Sequence, residues 1–530
     1  MATFEYYQQQ LKDAKNELDK ANAALDKANA AKLCSSFFSL NITAGLVKKR
    51  KAGEGLSLDS PAQRKQCLEQ IPKMAPSSLA MLANIKDFLP EKLTTTPPTF
   101  YSNRPTQDYA SFPAALLHPV FGQFQHDREH YKPKRKDNML LQELSMQMVR
   151  FYDHERERAR VFREILENNY SIQLMAAEVD NSSSCTDGHM QEKGNVCVIS
   201  EAKNELGLGG KDPYFQGGFY YVELIRRHAY ERINSVLPCI LIFYAGPNFG
   251  FAALAMTDAK IHLAPLTPLI PLYTEPHDYF MHKMAAQAFG AFRRAVKQLK
   301  KYYNEGNAQI QNPLPVSPES LEFPYIREFI PIQGGEGATP IQFKYTGQHP
   351  SKKLIFYGET EKGGQICIKF TRRYSSETHQ YCASLRAAPV LHACQMIIGG
   401  WYLVVMDAIN PNEHRVYSER HMDNFPSTVG LGRKIREVVT QLHNRNMVHG
   451  DLRDTNIIVA NDGSFMLIDF DWSGIEGQVR YPPLVNCVDI QRPDNVLDGN
   501  LIMRQDDVYM LDRLFPLPAV DAMDMMEMPD

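Results

Sequence analysis

Three polar residues in the last fifth of the chain have the types and spacing that phosphoryl transfer requires. Asp451 is followed by Asn456 and then by Asp469. In such a reaction one carboxylate orients the attacking hydroxyl, while an amide oxygen and a second carboxylate hold Mg²⁺ against the nucleotide phosphates. The apolar runs Ile457–Val459 and Phe465–Ile468 flank these positions, so we expect strands that place all three side chains on one rim.

These positions resemble protein-kinase motifs. His449-Gly450-Asp451 with Asn456 is similar to the H-R-D-x-x-x-x-N catalytic loop, and Asp469-Phe470-Asp471 is similar to D-F-G. Gly450 stands where the first motif has arginine, and Asp471 stands where the second has glycine. With these two differences the motifs are closer to those of atypical and small-molecule kinases, such as aminoglycoside phosphotransferases and choline kinases. The resemblance implies an α+β, two-lobed kinase-like domain at residues 325–515, with ATP and Mg²⁺ as cofactors.

The same resemblance extends to the segment before the catalytic loop. Ile366-Cys367-Ile368-Lys369 is similar to the V-A-I-K of the third kinase strand. It implies that Lys369 binds the α/β phosphates and that Glu377, on the following helix, pairs with this lysine. The loop between the first two predicted strands lacks G-x-G-x-x-G, and we expect Lys352 or Lys353 in that loop to help cover the phosphates.

Roles for the remaining kinase-like positions follow from the resemblance. Asp451 would take the proton of the acceptor hydroxyl, and Arg453 would offset charge on the transferring phosphoryl group. Asn456 and Asp469 would bind Mg²⁺ and, through it, the nucleotide. The phosphoacceptor is a protein or a small molecule, since the H-G-D form leaves both open.

An earlier stretch carries a second set of acids and a lysine. Val196–Asn204 predicts an apolar strand that ends in Glu201 and Lys203, and alternate residues of a strand face the same side. Asp187 precedes this strand, with Asp180 as an alternative first acid. Two carboxylates can hold Mg²⁺ or Mn²⁺, the metal activates a bound water, and a lysine can orient that water.

This second set resembles the core of the PD-(D/E)xK nuclease superfamily. Asp187 corresponds to the first acid, Glu201 and Lys203 to the acid-x-Lys pair, and Gln216 with Tyr220 to the Gln-x-x-x-Tyr helix that often follows. The resemblance implies an α/β restriction-endonuclease-like domain at residues 76–303 that holds a metal through Asp187 and Glu201. It also implies catalysis by Glu201 and Lys203, and nucleic acid as a partner.

The rest of the chain predicts connecting and terminal segments. Residues 1–75 are predicted to form a helical and basic tail. Leucines recur every seven residues at 5–33, which predicts either a coiled coil that self-associates weakly or a single solvated or packed helix. Basic runs at 48–51 and 132–136 favour a nuclear-import signal, a phosphate-contacting patch or a solvated surface. A helix is predicted from about Asn138 to Asn169, a linker at 304–324 and a disordered tail at 516–530.

Composition restricts the compartment and the partners. The net charge of −3 excludes a global field that draws the protein to nucleic acid, and nine dispersed cysteines favour reduced thiols. The N-terminal residues lack a signal-peptide pattern, and the longest uncharged run, between Arg232 and Asp258, contains Gly and Pro residues that fit two buried strands better than a membrane span. We expect an intracellular protein, nuclear or cytoplasmic, without a membrane partner.

A PD-(D/E)xK-like domain followed by a small kinase-like domain is similar to Crinkler-type proteins and related kinase-like proteins of fungi, which are proposed to act in nuclei. Three functions therefore stand as hypotheses. The first is an ATP-dependent kinase. The second is a metal-dependent nuclease with a regulatory pseudokinase domain, and the third is a binding scaffold built from two degenerate catalytic folds.

Overall fold

The computed structural model describes residues 60–81, 84–85, 100–102, 113–176, 186–207, 210–226, 235–273, 279–306, 320–335, 337–352 and 354–516. The predicted coiled coil at 5–33, the basic run at 48–51, Asp180, Lys353 and the tail from 517 onward lie outside these residues. Among the described helices, none is long and apolar enough to cross a membrane.

A seven-stranded sheet forms the centre of the first half of the chain. Its strands are β1 (Phe100–Tyr101), β2 (Gly188–Glu192), β3 (Asn195–Lys203), β4 (Cys239–Ala245), β5 (Asn248–Met256), β6 (Ile261–Pro265) and β7 (Ile270–Pro271). The order is β1-β6-β5-β4-β3-β2, with β7 beside β5. Strand β3 runs parallel to β4 and is buried along its whole length, which suits a central strand covered on both faces.

Helices cover both faces of this sheet and form two apolar cores. The helices are α1 (Ser60–Gln70), α2 (Pro76–Leu79), α3 (Ala114–Leu117), α4 (Pro119–His130), α5 (Arg135–Met148), α6 (Glu155–Tyr170), α7 (Pro213–Ile225) and α8 (Tyr279–Gly306). Helices α3 to α6 and α8 contribute to one core, and α1, α2 and α7 contribute to the other.

Three predicted boundaries in this half need correction. Leu68 of α1 belongs to the sheet core, and the buried Arg64 donates to the carbonyl oxygen of Ser235 at 2.7 Å, so the packed region begins before residue 76. The single helix predicted for 138–169 is two helices, α5 and α6, with no Gly or Pro at the break to announce it. The linker predicted at 304–324 is docked at its end, where Glu322 pairs with Lys260 at 2.6 Å.

A second, antiparallel sheet of six strands begins after residue 325. Its strands are β8 (Glu328–Phe329), β9 (Ile341–Gln348), β10 (Ile355–Thr360), β11 (Gln365–Thr371), β12 (Leu391–Ile397) and β13 (Trp401–Asp407). The order is β12-β13-β11-β10-β9-β8, so β11 is an interior strand that pairs antiparallel with β13 on one side and β10 on the other. The three strands predicted from sequence in this region are confirmed to within three residues at each end.

The remaining residues form helices, short strands and irregular segments around a core of their own. Its elements are α9 (Ser376–Ser384), β14 (His414–Val416), α10 (Leu431–His443), β15 (Met447–Val448), β16 (Ile457–Ala460), β17 (Phe465–Leu467), β18 (Gly474–Ile475) and α11 (Arg504–Leu514). Strand β16 lies between β14 and β17, and β15 pairs with β18. The polar segment 449–456 therefore leaves one short sheet and enters another.

One short helix joins the two halves. Leu116 of α3 is fully buried in the core of the second sheet, and its carbonyl oxygen accepts from the backbone N–H of Tyr325 at 3.1 Å. The next residue, Leu117, belongs instead to the core of the first sheet. Gly122 of α4 packs against the backbone of Ile398 in the β12–β13 turn so closely that a Cβ there would lie 2.8 Å from its carbonyl oxygen.

Candidate active sites

Lys369 of β11 connects the second sheet to the segment after β17. Its Nζ lies 2.5 Å from Oδ1 of Asp469 and 2.7 Å from Oδ1 of Asp471. The backbone N–H of Ile468 donates to the carbonyl oxygen of Asn456 at 3.0 Å. The structure thus brings the predicted lysine, the predicted metal-binding acid and the predicted asparagine to one region.

Asp451 lies buried beside them, with both carboxylate oxygens engaged. Oδ2 accepts from Nδ2 of Asn456 at 2.8 Å and faces Nε of Arg453 at 3.1 Å. Oδ1 accepts from Arg492 at 2.7 Å. Arg453 and Asn456 were predicted from sequence, but Arg492 was not, because nothing local to it marks a residue that packs across 41 positions.

The backbone before Asp451 is fixed by an acid on the last helix. Asp507 of α11 is buried, and its carboxylate accepts from the N–H groups of His449 and Gly450, each at 2.8 Å. Gly450 has φ +81°, and a Cβ there would lie 3.0 Å from the carbonyl oxygen of Trp472. The positive φ and the close approach of this oxygen both favour glycine at position 450, since an L side chain would be strained and crowded.

The segment 469–471 is held in an unusual backbone conformation. Asp469 has φ +71°, a left-handed conformation that aspartate tolerates better than most residues and that often marks functional sites. Phe470 is buried and stacks on His379 with ring centroids 4.6 Å apart. Its carbonyl oxygen accepts from the N–H of Ser375 at 3.1 Å. The two acids therefore stand on either side of an anchored phenylalanine.

The predicted ion pair between Lys369 and Glu377 is not formed. Glu377 lies exposed in the first turn of α9, and among the described residues Lys369 pairs with the two aspartates instead. Helix α9 begins at Ser376, and its direction is set by the packing of His379 on Phe470, which leaves the acid of its first turn exposed to solvent.

Charge and burial shape the protonation of this cluster. Burial alone would lower the pKa of Lys369, but the carboxylates of Asp469 and Asp471 outweigh it and raise that pKa. For Asp469 burial acts upward, yet Lys369 and the nearby charge of Lys352 bring its pKa below the usual value. Burial, together with the charge of Asp469, raises the pKa of Asp471. At neutral pH, Lys369 is charged and Asp469 ionised.

A second cluster lies at the end of β3 in the first sheet. One carboxylate oxygen each from Glu155, Asp187 and Glu201 lie within 4.8 Å of one another. Lys203 donates to Glu155 at 3.0 Å and to Glu201 at 3.2 Å. Asp187 is fixed by the backbone N–H of Ala202, which donates to its Oδ2 at 2.9 Å. The structure thus collects the three residues predicted for this site.

Glu155 is a fourth member that the sequence did not reveal. It is the first residue of α6, immediately after the unpredicted break between α5 and α6. Its 46-residue separation from Glu201 and the absence of a Gly or Pro signal at the break hid it. Gln216 and Tyr220 are buried on α7, where Tyr220 packs in the core against the sheet.

The electrostatics of this second cluster favour a cation. Burial raises the pKa of Asp187 to about 6, and burial together with Asp187 raises the pKa of Glu201 well above its usual value. Oε2 of Glu201 is buried and, among the described residues, has no hydrogen-bond partner. Burying a carboxylate oxygen without a hydrogen-bond donor costs free energy, and a divalent metal ion coordinated by that oxygen would offset the cost. The three acids therefore fit a Mg²⁺ or Mn²⁺ ion.

A cleft opens beside Lys203. Its volume is about 570 Å³, and its wall includes Glu205, Lys211, Tyr214 and Phe243. Polar and aromatic groups of this kind next to a candidate metal site can contact both phosphate and the flat face of a base. Lys203 lines this cleft, whereas Glu155, Asp187 and Glu201 do not.

The chain matches no protein-family model, and a search of the curated proteins finds no relative for it.

Proposed function

We propose that this protein is an ATP-dependent phosphotransferase whose reaction takes place between Lys369, Asp451 and Asp469. The observation that carries the proposal is the 2.5 Å ion pair between Lys369 and Asp469, residues 100 positions apart that join the central strand of one sheet to the rim that holds Asp451 and Asn456. A lysine, a metal-binding acid and a base at one rim are the parts that phosphoryl transfer uses.

Each residue has a defined task in this proposal. Lys369 binds the phosphates of ATP, and Asp469 with the amide oxygen of Asn456 holds Mg²⁺, which neutralises charge on the phosphates. Asp451 orients the acceptor hydroxyl and takes its proton while the acceptor oxygen bonds to the γ-phosphorus and ADP leaves. Arg453, next to Asp451, offsets negative charge on the transferring group. The acceptor is a hydroxyl of a protein or of a small molecule.

The test is transfer of label from γ-labelled ATP with Mg²⁺ to the protein itself or to components of a cell extract. We expect transfer by the wild type and a loss of about a hundredfold or more in the Asp451→Ala and Lys369→Ala variants. Lys344→Ala removes an exposed lysine from the same sheet and serves as the matched control. A folded wild type that neither binds Mg·ATP nor transfers label to any hydroxyl would refute the proposal.

A second candidate function rests on the other cluster. The three carboxylates within 4.8 Å, with Lys203 beside them and the orphaned Oε2 of Glu201, support metal-dependent cleavage of a phosphodiester in nucleic acid. In this candidate Glu155, Asp187 and Glu201 hold the metal and Lys203 orients the attacking water.

Cleavage of single- and double-stranded DNA and RNA with Mg²⁺ or Mn²⁺ tests this second candidate. We expect Glu201→Gln and Lys203→Ala to abolish cutting, with the exposed Lys65→Ala as the control for loss of a positive charge. If neither ATP transfer nor cleavage is found, the scaffold hypothesis is the one that the chain supports.

A further inference from the structure

The partner of Lys369 differs from the one that the kinase resemblance implies. Glu377 is exposed, whereas Oδ1 of Asp471 lies 2.7 Å from Nζ of Lys369. Resting on the phosphotransferase function proposed above, we propose that Asp471 is the positioning residue that holds Lys369 for the nucleotide phosphates, in place of an acid on α9.

The geometry around Asp471 supports a positioning role. Lys369 and Thr371 are alternate residues of β11 and therefore project to the same side of the strand. Oγ1 of Thr371 donates to Oδ2 of Asp471 at 3.0 Å, while Lys369 engages Oδ1. Oδ2 of Asp471 thus accepts a hydrogen bond from β11, and Oδ1 forms an ion pair with the lysine of the same strand, so one carboxylate contacts both side chains.

The charge of the cluster assigns different tasks to the two aspartates. Lys369 faces both carboxylates, but Asp469 is the nearer of the two along the chain to β17 and immediately follows Ile468, whose N–H donates to the carbonyl oxygen of Asn456. When Asp469 turns to a metal ion, Asp471 remains to pair with the lysine. This role explains why the third position of the motif is an aspartate, because Asp471 supplies the negative charge that, among the described residues, no side chain of α9 brings to Lys369.

Helix α9 contacts the site without supplying a charge to Lys369 among the described residues. The N-cap of α9 is Ser375, whose Oγ accepts from the N–H of Thr378, and the helix contacts the site through the stacking of His379 on Phe470. No charged side chain of α9 pairs with Lys369 among the described residues. Helix α9 therefore acts on the site through Phe470, which lies between the two aspartates, and not through a charge on Lys369.

The test compares Mg·ATP binding by calorimetry and steady-state transfer from ATP in four variants. Asp471→Asn is expected to weaken Mg·ATP binding and raise KM for ATP by about tenfold or more, with a smaller change in kcat, because binding of the α/β phosphates is common to ground and transition states. Asp471→Glu should recover part of the affinity. Thr371→Val should give a loss in the same direction but smaller, and Glu377→Gln should match the wild type.

The outcomes separate this inference from the function on which it rests. If wild type does not bind Mg·ATP, the proposed function fails and the inference fails with it. If wild type binds and transfers phosphate but Glu377→Gln weakens ATP binding while Asp471→Asn does not, the positioning role alone is overturned. A change in the Mg²⁺ requirement of Asp471→Asn without a change in ATP affinity would overturn it as well, since that behaviour belongs to a metal ligand. Should Asp471→Asn fail to fold, Thr371→Val decides, because it keeps every charge.

Discussion

Two neighbouring leucines of one short helix fill different cores, and this makes them a matched pair. Leu116 is 0% exposed in the core of the second sheet, and Leu117 is 4% exposed in the core of the first. We expect Leu116→Ala to loosen the second sheet and Leu117→Ala to loosen the first. The same chemical change, one residue apart, should therefore be felt in different halves of the molecule.

The size of the effect follows from burial. Replacing a fully buried leucine by alanine removes roughly three methylene equivalents, at about 0.8 kcal/mol each, and leaves a cavity that adds to the loss. The expected destabilisation is about 3 kcal/mol for either variant, which corresponds to a roughly hundredfold rise in the population of the locally open state.

Hydrogen–deuterium exchange read peptide by peptide is the assay. Exchange in Leu116→Ala should accelerate in β9, β10 and β11, while β3, β4 and β5 stay close to wild type; Leu117→Ala should show the reverse. Acceleration of both sheets to the same extent by Leu116→Ala would refute the assignment of this side chain to the second core. So would acceleration confined to the first sheet.

Four further predictions concern three single positions. Gly122→Ala should destabilise by about 1–3 kcal/mol in urea unfolding, because its Cβ would meet the backbone of Ile398 at 2.8 Å, whereas Gly347→Ala, which meets nothing within 4 Å, should not. Mn²⁺ affinity measured by calorimetry should rise between pH 5 and 7, because burial raises the pKa of Asp187 to about 6 and a protonated carboxyl is a poor ligand; Asp187→Asn should make this dependence weaker and leave the part that Glu201 contributes. For stability the sign is opposite: a raised carboxyl pKa costs the metal-free fold stability as pH climbs from about 4 through 6, so melting of wild type against Asp187→Asn should show that penalty. Asp507→Asn should cost about 1.5–3 kcal/mol in urea unfolding, because Asp507 accepts from two buried N–H groups, whereas Asp512→Asn on the exposed face of the same helix should cost less.

Sequence reasoning identified the candidate catalytic groups that lie on or beside strands. Lys369, Asp451, Asn456 and Asp469 meet because apolar runs of strand length separate them, and strand length and direction can be read from such runs. Lys203 and Glu201 were found for the same reason, since their alternation on one strand is visible in the sequence.

The residues that sequence reasoning missed reach the sites from distant elements. Glu155 depends on a helix break without a Gly or Pro signal, and Arg492 and Asp507 reach the Asp451 segment from elements 41 and more positions downstream. Glu377 failed for a related reason, because the direction of α9 is set by packing of His379 on Phe470 and not by local spacing. Long-range packing, which one sequence does not display, decides these positions.

Both sites use the same physical arrangement. A lysine on an interior strand, Lys203 of β3 or Lys369 of β11, lies among partly or fully buried carboxylates that outnumber it: three around the first and two around the second. Carboxylates held close together away from water are neutralised either by binding a proton or by binding a cation. A raised carboxyl pKa therefore indicates how strongly such a site favours either one. The raised pKa values of Asp187, Glu201 and Asp471 are thus the apparent cost of sites shaped for a positive charge that the chain does not itself supply. A divalent metal ion would neutralise the carboxylates at each site, and a phosphate bound to that metal would pair with the lysine. The two proposed activities therefore share phosphate chemistry although their folds differ.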